Sequence, residues 1–115
     1  MKYSICKHYS FNSAHWLPKL SHTHPCSHIH GHTYEVEVRL SGPLDDKGWI
    51  CDFSRIDAMA QQTFAVLDHR ILNERIPNPT SENIAMFIYD NLIKHLPVSS
   101  IRVWESPKSW AEVTP

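Results

Sequence analysis

The chain has 115 residues and a formal net charge of -1 at pH 7. This length corresponds to one domain, which we place at residues 1–115. Near-neutral charge argues against nucleic acid as the main partner, and no apolar run is long enough to cross a bilayer. Because the first residues also lack the apolar core of a signal peptide, we expect a cytoplasmic protein. Three cysteines without C-x-x-C spacing argue against a disulfide framework.

The first part of the chain predicts two strands separated by a loop. Apolar residues alternate over Tyr3–Phe11, which predicts a first strand. Residues Asn12–Ile29 are rich in Ser, His and Pro and have no sustained period, so we expect a loop there. Loops this long in a compact domain are usually functional. The second strand is predicted over roughly His32–Ser41 and ends at Gly42–Pro43.

A turn over Leu44–Gly48 and an extended stretch, Trp49–Cys51, lead to a first helix. Asp52 or Ser54 can cap this helix, because each offers a side-chain oxygen to the free amides of the first turn. Apolar residues then recur at intervals of three and four, which predicts an amphipathic helix packed on a sheet: Phe53, Ile56, Ala60, Phe64 and Leu67.

A second amphipathic helix is predicted to start after Pro79. Thr80 or Ser81 can cap it, and Glu82 adds a favourable negative charge to its first turn. Its apolar stripe consists of residues at helical spacing: Ile84, Phe87, Ile88, Leu92 and Leu96.

Two strands are predicted to close the chain. Ile101, Val103 and Glu105 share one face of the first, and Trp110–Val113 can form a shorter second strand. The order strand, strand, helix, helix, strand, strand predicts an α+β fold. In this fold an antiparallel four-stranded sheet carries both helices on one face.

The strongest chemical signal is a group of histidines at the start of the second strand. His30 and His32 share the parity of Tyr34, so both imidazoles point the same way, and Gly31 removes a side chain at a point where the backbone can bend or approach a neighbour closely. His15, at the end of the preceding strand-like run, is the best candidate for a third ligand. Three histidines with an open fourth position are typical of a catalytic zinc site. The other histidines of the loop are expected in solvent: His22, His24 and His28.

Cys26 lies four residues before His30 and has two possible roles. A nearby cation favours the thiolate, which is a competent base or nucleophile near neutral pH. Alternatively, Cys26 could be a fourth ligand and close a structural zinc site. The spacing alone leaves both interpretations open.

Two acidic positions are weaker candidates. Asp68 beside His69 can fix a tautomer or pass a proton, although such a pair is also common at helix ends. Glu105 either protects a sheet edge or accepts hydrogen bonds from a ligand.

Taken together, six motifs in this order resemble the 6-pyruvoyl tetrahydropterin synthase family and cover nearly the whole chain. They are Phe11-x-x-Ala14-His15, Cys26-x-x-x-His30-Gly31-His32, Asp52-Phe53, Leu67-Asp68-His69-x-x-Leu72-Asn73, Pro79-Thr80-Ser81-Glu82-Asn83 and Glu105. The three-residue gap between the cysteine and His-Gly-His resembles the branch that forms 6-carboxy-5,6,7,8-tetrahydropterin. Pyruvoyl-forming members typically have a wider gap.

The resemblance implies a T-fold and a ring-shaped homo-oligomer, commonly a hexamer of two stacked trimers with active sites between subunits. It also implies that the three histidines His15, His30 and His32 bind Zn²⁺. By the same resemblance, Cys26 is the base that moves side-chain protons of a pterin triphosphate substrate.

The resemblance also assigns roles to the acidic motifs. Asp68 and His69 would complete a proton relay from a neighbouring subunit, and Glu105 would anchor the pterin ring. A further pterin-contacting segment is implied over three residues that also explain a helix start: Thr80, Ser81 and Glu82.

The implied reaction converts 7,8-dihydroneopterin triphosphate to 6-carboxy-5,6,7,8-tetrahydropterin and releases acetaldehyde and triphosphate, an early step towards queuosine. The alternatives are a pyruvoyl-forming or other side-chain-cleaving pterin enzyme, and, in another class, a non-catalytic structural zinc module.

Trp16 replaces an arginine of many relatives, and Ser109–Val113 keeps only part of the family's closing pattern, so specificity stays open. No motif identifies the triphosphate ligands among the candidates Lys19, Arg70 and Lys108.

Overall fold

The computed structural model describes residues 1–115 and contains one mixed sheet and two helices. The elements in chain order are β1 (Tyr3–His15), β2 (His30–Gly42), α1 (Phe53–Phe64), β3 (Arg70–Ile71), α2 (Ser81–Leu92), β4 (Val98–Ser106) and β5 (Ser109–Val113). Short 3₁₀ turns occur at Pro25–Ser27 and Leu72–Glu74. The strand order is β3-β1-β2-β4-β5. Neither helix has the length and apolar character needed to cross a membrane.

The α+β class is confirmed, but the prediction of four antiparallel strands is wrong because the sheet has a fifth strand. β3 pairs in parallel with β1, at Ser13 and Ala14, whereas all other neighbours are antiparallel. A strand of two residues has no alternation to detect, so periodicity could not reveal it.

β1 is longer than predicted and ends at His15 instead of Phe11. Its last four residues pair one by one with the first four residues of β2, from His15 opposite His30 to Asn12 opposite Thr33. The connecting loop is therefore shorter and covers residues 16–29. Although residues 12–15 are mostly polar, they form a strand because β2 provides hydrogen-bond partners for their backbone N–H and C=O groups.

The extended stretch predicted over Trp49–Cys51 is wrong. The chain bends there, because the Asp45 N–H donates to the Trp49 carbonyl at 2.9 Å and the Gly48 N–H donates to the Asp45 carbonyl at 3.0 Å. Gly48 has a φ of 93°, which glycine adopts without the steric cost that other residues bear.

Both helices begin at predicted caps. The Asp52 side chain accepts the Ser54 N–H at 2.9 Å, and the Thr80 hydroxyl accepts the Asn83 N–H at 3.2 Å. Each oxygen satisfies one of the orphan amides of a first helical turn. The cap of α2 also determines where the chain turns beside the histidine cluster.

The core lies between the sheet and the two helices. β2 contributes four buried residues of one parity: Tyr34, Val36, Val38 and Leu40. The helices contribute most of their predicted stripes: Ile56, Ala60, Phe64, Ile84, Ile88 and Leu92. Phe53 is an exception, since 49% of it is exposed. Because the parity of β2 is unbroken, the rings of His30 and His32 lie on this same side of the sheet.

Candidate functional site

The pairing of β1 with β2 brings the three predicted histidines together. His15 lies directly opposite His30, and His32 lies opposite Ser13. The potential ligand atoms of the three rings all lie within 4.8 Å of one another. The Nε2 atoms of His15 and His30 are 3.1 Å apart.

Backbone carbonyls orient two of these rings. The Nδ1 atom of His15 lies 2.7 Å from the Pro79 carbonyl, and that of His30 lies 2.7 Å from the His28 carbonyl. Since a carbonyl only accepts, each Nδ1 carries the proton, and in the neutral ring Nε2 offers a lone pair. Metal-binding histidines are typically held in this way by their other nitrogen.

The third ring shows most directly that the cluster fits a cation. The Nε2 atom of His32 is buried and has no hydrogen-bond partner. Such an unpaired polar atom costs about 1–3 kcal/mol, which a bound cation would remove. Burial is the largest cause that lowers the pKa of His15, so this ring favours the neutral form that binds metals. Three convergent imidazoles are a donor set suited to Zn²⁺.

Glu105 lies beside this cluster. Its carboxylate oxygens are 4.0 Å from Nε2 of His15 and 3.8 Å from Nε2 of His32. β4 lies between β2 and β5, so Glu105 does not protect a sheet edge. Its position instead favours a carboxylate that faces a ligand.

Asp68 and His69 contact each other through their side chains, with 2.9 Å between Oδ2 and Nδ1. His69 has a φ of 57°, the only positive value among the non-glycine residues. Its N–H donates to the Asn12 carbonyl at 2.6 Å, and Asp68 accepts the Asn12 N–H at 2.9 Å. That backbone hydrogen bond, followed by the bond to His69, lowers the pKa of Asp68. Backbone strain of this kind concentrates at functional sites.

An open cavity of about 750 Å³ is lined by His69 of this pair and by His32 of the cluster, but not by Asp68, His15 or His30. His32, His69 and Arg70 are among its lining residues. Arg70 is thus the one triphosphate candidate that faces this cavity, since neither Lys19 nor Lys108 lines it.

Cys26 lies in the 3₁₀ turn Pro25–Ser27, and its thiol is not among the clustered donor atoms. Two hydrogen bonds hold the backbone of Cys26: its N–H donates to the side-chain Nδ1 of His24 at 3.1 Å, and its carbonyl accepts the Leu17 N–H at 2.8 Å. The half-buried thiol is free. The clustered donors therefore comprise histidine nitrogens only.

The segment Thr80-Ser81-Glu82 forms the start of α2 and adjoins the cluster through Pro79. The Thr80 hydroxyl is already engaged as the helix cap. Sequence reasoning missed the carbonyls of Pro79 and His28, because a backbone carbonyl has no residue-specific signal. Only the location of Thr80-Ser81-Glu82 next to a ring-orienting residue distinguishes this helix start from any other.

Comparisons with known proteins agree with this fold. The model of the family described as 6-pyruvoyl tetrahydropterin synthase matches residues 4–115. The solved structure of Caenorhabditis elegans 6-pyruvoyl tetrahydropterin synthase superposes with a TM-score of 0.90 at 24% identity, covering 100% of this chain and 96% of that one. At that identity, the structural likeness supports the fold alone.

Two curated relatives are informative at the sequence level. A protein of Archaeoglobus fulgidus, provisionally named 6-carboxy-5,6,7,8-tetrahydropterin synthase, is 40% identical over 90% of this chain and 89% of its own. The dihydroneopterin monophosphate aldolase of Pyrococcus furiosus is 32% identical over 98% of both chains. Other relatives carry the 6-carboxy-5,6,7,8-tetrahydropterin synthase name without that provisional status. The chain belongs to the 6-pyruvoyl tetrahydropterin synthase family, which confirms the resemblance of its motifs.

Proposed function

We propose that this protein is a zinc-dependent 6-carboxy-5,6,7,8-tetrahydropterin synthase. It would convert 7,8-dihydroneopterin triphosphate and water to 6-carboxy-5,6,7,8-tetrahydropterin, with release of acetaldehyde and triphosphate, in the synthesis of queuosine and related 7-deazaguanines. The observation that carries the proposal is the convergence of three histidine nitrogens, one of them buried without a partner. The names of several relatives and the Cys26-x-x-x-His30 spacing support this branch of the family.

His15, His30 and His32 would hold the Zn²⁺ ion. When bound, the ion polarises the hydroxyl and carbonyl oxygens of the substrate side chain and makes the adjacent C–H protons more acidic. The carbonyls of Pro79 and His28 keep two of the rings in the tautomer that presents Nε2.

Cys26 acts as the base that removes and returns protons of the substrate side chain. Two observations support this role over that of a fourth ligand. The thiol lies outside the group of clustered donors, and the hydrogen bonds that Cys26 itself makes, with His24 and Leu17, involve no ring nitrogen of the cluster. The thiol can then meet the substrate instead of closing the site.

Asp68 and His69 act as a proton relay. The Asp68 carboxylate, whose pKa is lowered, accepts the Nδ1–H of His69, with 2.9 Å between Oδ2 and Nδ1. The Nε2 atom of His69 is then the position that accepts or donates a proton. In the family's ring, this pair would serve the active site of a neighbouring subunit.

Glu105 anchors the pterin ring, because its two oxygens can accept two parallel N–H groups of the guanidine-like edge. Thr80, Ser81 and Glu82 supply a second contact. Since the Thr80 hydroxyl caps α2, we assign that contact to the remaining polar groups of the segment.

We also propose the hexamer of two stacked trimers. Both edges of the sheet support it: β3 covers only Ser13 and Ala14 of β1, which leaves Tyr3–Phe11 without an outer partner, and β5 forms the opposite edge. Pairing of unlike edges between copies generates a closed ring when the rotation permits.

The test is to incubate zinc-loaded protein with 7,8-dihydroneopterin triphosphate and identify the products by mass. A 6-carboxytetrahydropterin together with acetaldehyde supports the proposal. A pyruvoyl product would move the protein to the other branch. No turnover of the triphosphate by a zinc-loaded, assembled protein would overturn the synthase assignment.

A second candidate activity is side-chain cleavage of a pterin monophosphate. The Pyrococcus furiosus aldolase supports it, because that protein matches 98% of this chain and 98% of its own length. A parallel incubation with 7,8-dihydroneopterin monophosphate separates the candidates. Turnover of the monophosphate with loss of the side chain as an aldehyde, and no carboxylated product from the triphosphate, would favour the aldolase.

A further inference from the structure

We infer that Asn73 is a positioning residue that links His15, at the end of β1, to Cys26, within the loop of residues 16–29. The inference rests on the proposed roles of those two residues. The Oδ1 atom of Asn73 accepts the Trp16 N–H at 3.1 Å, and its Nδ2 atom donates to the Trp16 carbonyl at 2.9 Å. One side chain therefore holds both backbone groups of the residue that follows His15.

Asn73 substitutes for a sheet partner at the point where β3 ends. The backbone pairing of β3 with β1 stops at Ala14, two residues before Trp16. Beyond that point the amide of Asn73 supplies the donor and the acceptor that a neighbouring strand would supply. The backbone on the carboxyl side of His15 is held in this way, while the Pro79 carbonyl holds its ring.

The restraint extends from Trp16 to Cys26 through one peptide group. The Trp16 carbonyl and the Leu17 N–H belong to the same planar unit, so holding the first orients the second. The Leu17 N–H donates to the Cys26 carbonyl at 2.8 Å. A continuous set of hydrogen bonds thus runs from Asn73 to the backbone of the residue that carries the proposed base.

The chemistry of the side chain explains why asparagine occupies this position. Only an amide offers a planar donor and acceptor together, and that pair matches the carbonyl and N–H of one residue. Aspartate keeps the acceptor for the Trp16 N–H but loses the donor to the Trp16 carbonyl. Alanine loses both.

The first test is amide hydrogen exchange in metal-free protein. Asn73→Ala should lower the protection of the Trp16 and Leu17 amides about tenfold, because two hydrogen bonds of ordinary strength are lost. Asn73→Asp should lower it more at Leu17 than at Trp16. The matched control is Asn91→Ala, which removes an amide that donates to the Phe87 carbonyl at 2.8 Å within α2. It should leave both loop amides unchanged.

The second test is alkylation of each cysteine by iodoacetamide, followed by peptide mass. In Asn73→Ala the alkylation rate of Cys26 should rise as the amide protection of Trp16 and Leu17 falls. Cys6 and Cys51 are internal references, because burial raises the pKa of both thiols. Their rates should stay at the wild-type level, which a merely destabilised fold would not allow.

Two results would overturn the inference. One is that folded Asn73→Ala has the amide exchange and Cys26 alkylation rates of the wild type. The other is that the alkylation rates of all three cysteines rise equally in both Asn73 variants. If Asn73→Ala does not fold, Asn73→Asp decides, and an equal loss of protection relative to wild type at Trp16 and Leu17 would refute the role. These measurements need neither zinc nor substrate, so their failure is distinguishable from failure of the proposed function.

Discussion

At the scale of single residues, the orientation of each clustered imidazole depends on the hydrogen-bond partners of its ring nitrogens. Carbonyls hold the Nδ1 atoms of His15 and His30, whereas the Nε2 atom of His32 is buried without a partner. Cys26 is outside this group of mutually close ligand atoms, and its half-buried thiol is free. Metal binding and proton transfer are therefore expected to respond to different substitutions.

Replacing His32 with alanine should weaken Zn²⁺ binding by about 100-fold or more, since even the loss of an outer partner of a ligand costs 10–100-fold. Competition with a chromophoric chelator measures the affinity. His22→Ala is the matched control, because His22 is an exposed loop histidine outside the cluster. Wild-type affinity in His32→Ala would contradict the three-histidine site.

Replacing Cys26 with alanine should leave zinc bound and reduce kcat by roughly 10²–10⁴-fold, the usual contribution of a general base. Metal content and turnover are measured on the same sample. Cys51→Ala serves as the control, since that cysteine is not in the cluster. Loss of zinc from Cys26→Ala would instead indicate a closed structural site.

At the scale of elements, the start of α2 connects stability with the site. Thr80 caps the helix, and the preceding residue, Pro79, orients His15 through its carbonyl. The cap therefore holds in place a backbone group on which one candidate ligand depends. Substitutions at Thr80 should act first on the helix and then on the histidine.

Thr80→Ala should lower the free energy of unfolding by about 1 kcal/mol, the typical value of a lost cap. Urea denaturation of metal-free protein measures the change. Thr80→Ser keeps a hydroxyl acceptor and should stay close to the wild type. Equal stability of the alanine and serine variants would show that the hydroxyl does not stabilise α2.

At the scale of the whole molecule, carboxylates at separate places stabilise the fold in their charged form. Hydrogen bonds from Ser54, Tyr9 and the Asn12 backbone are the largest causes that lower the pKa of three residues: Asp52, Asp57 and Asp68. These bonds cap α1, connect α1 to β1, and hold the loop before β3 to β1. Acid should weaken all three connections.

Above the ordinary carboxyl pKa of 3.8, these three groups should contribute a constant amount to the free energy of unfolding. At lower pH that contribution should fall. The unfolded chain binds these protons more readily, so protonation favours unfolding as pH falls through the lowered pKa values. Urea midpoints across this range measure the effect. Asp52→Asn keeps a cap acceptor without the charge and should flatten the profile, whereas an unchanged profile would rule out a contribution from Asp52.

The proposed ring predicts a solution mass six times the 13.3 kDa of one chain. Light scattering on the zinc-loaded protein measures it. The physical reason is the unpaired outer side of β1 and the opposite edge at β5, which unlike-edge pairing would satisfy. A stable monomer would contradict both the ring and active sites shared between subunits.

Local patterns in the sequence were enough for much of the fold. Helical spacing predicted both helices, and side-chain oxygens near each helix start predicted two possible caps for each. The structure selects Asp52 over Ser54 and Thr80 over Ser81. Strand parity predicted that His30 and His32 point the same way, and the position of His15 at the end of a strand-like run suggested a third partner. These features depend on residues close together in the chain, so periodicity reveals them.

The sequence by itself therefore determined the α+β class, both helices and the identity of the clustered histidines. Tertiary structure decided the rest: the extension of β1 to His15, the parallel strand β3, and the interior position of β4 with Glu105. It also decided that the Pro79 carbonyl, 64 residues away, orients His15. Each of these depends on which distant backbone groups pair, and pairing with a partner strand overrides the weak local preferences of polar or very short segments.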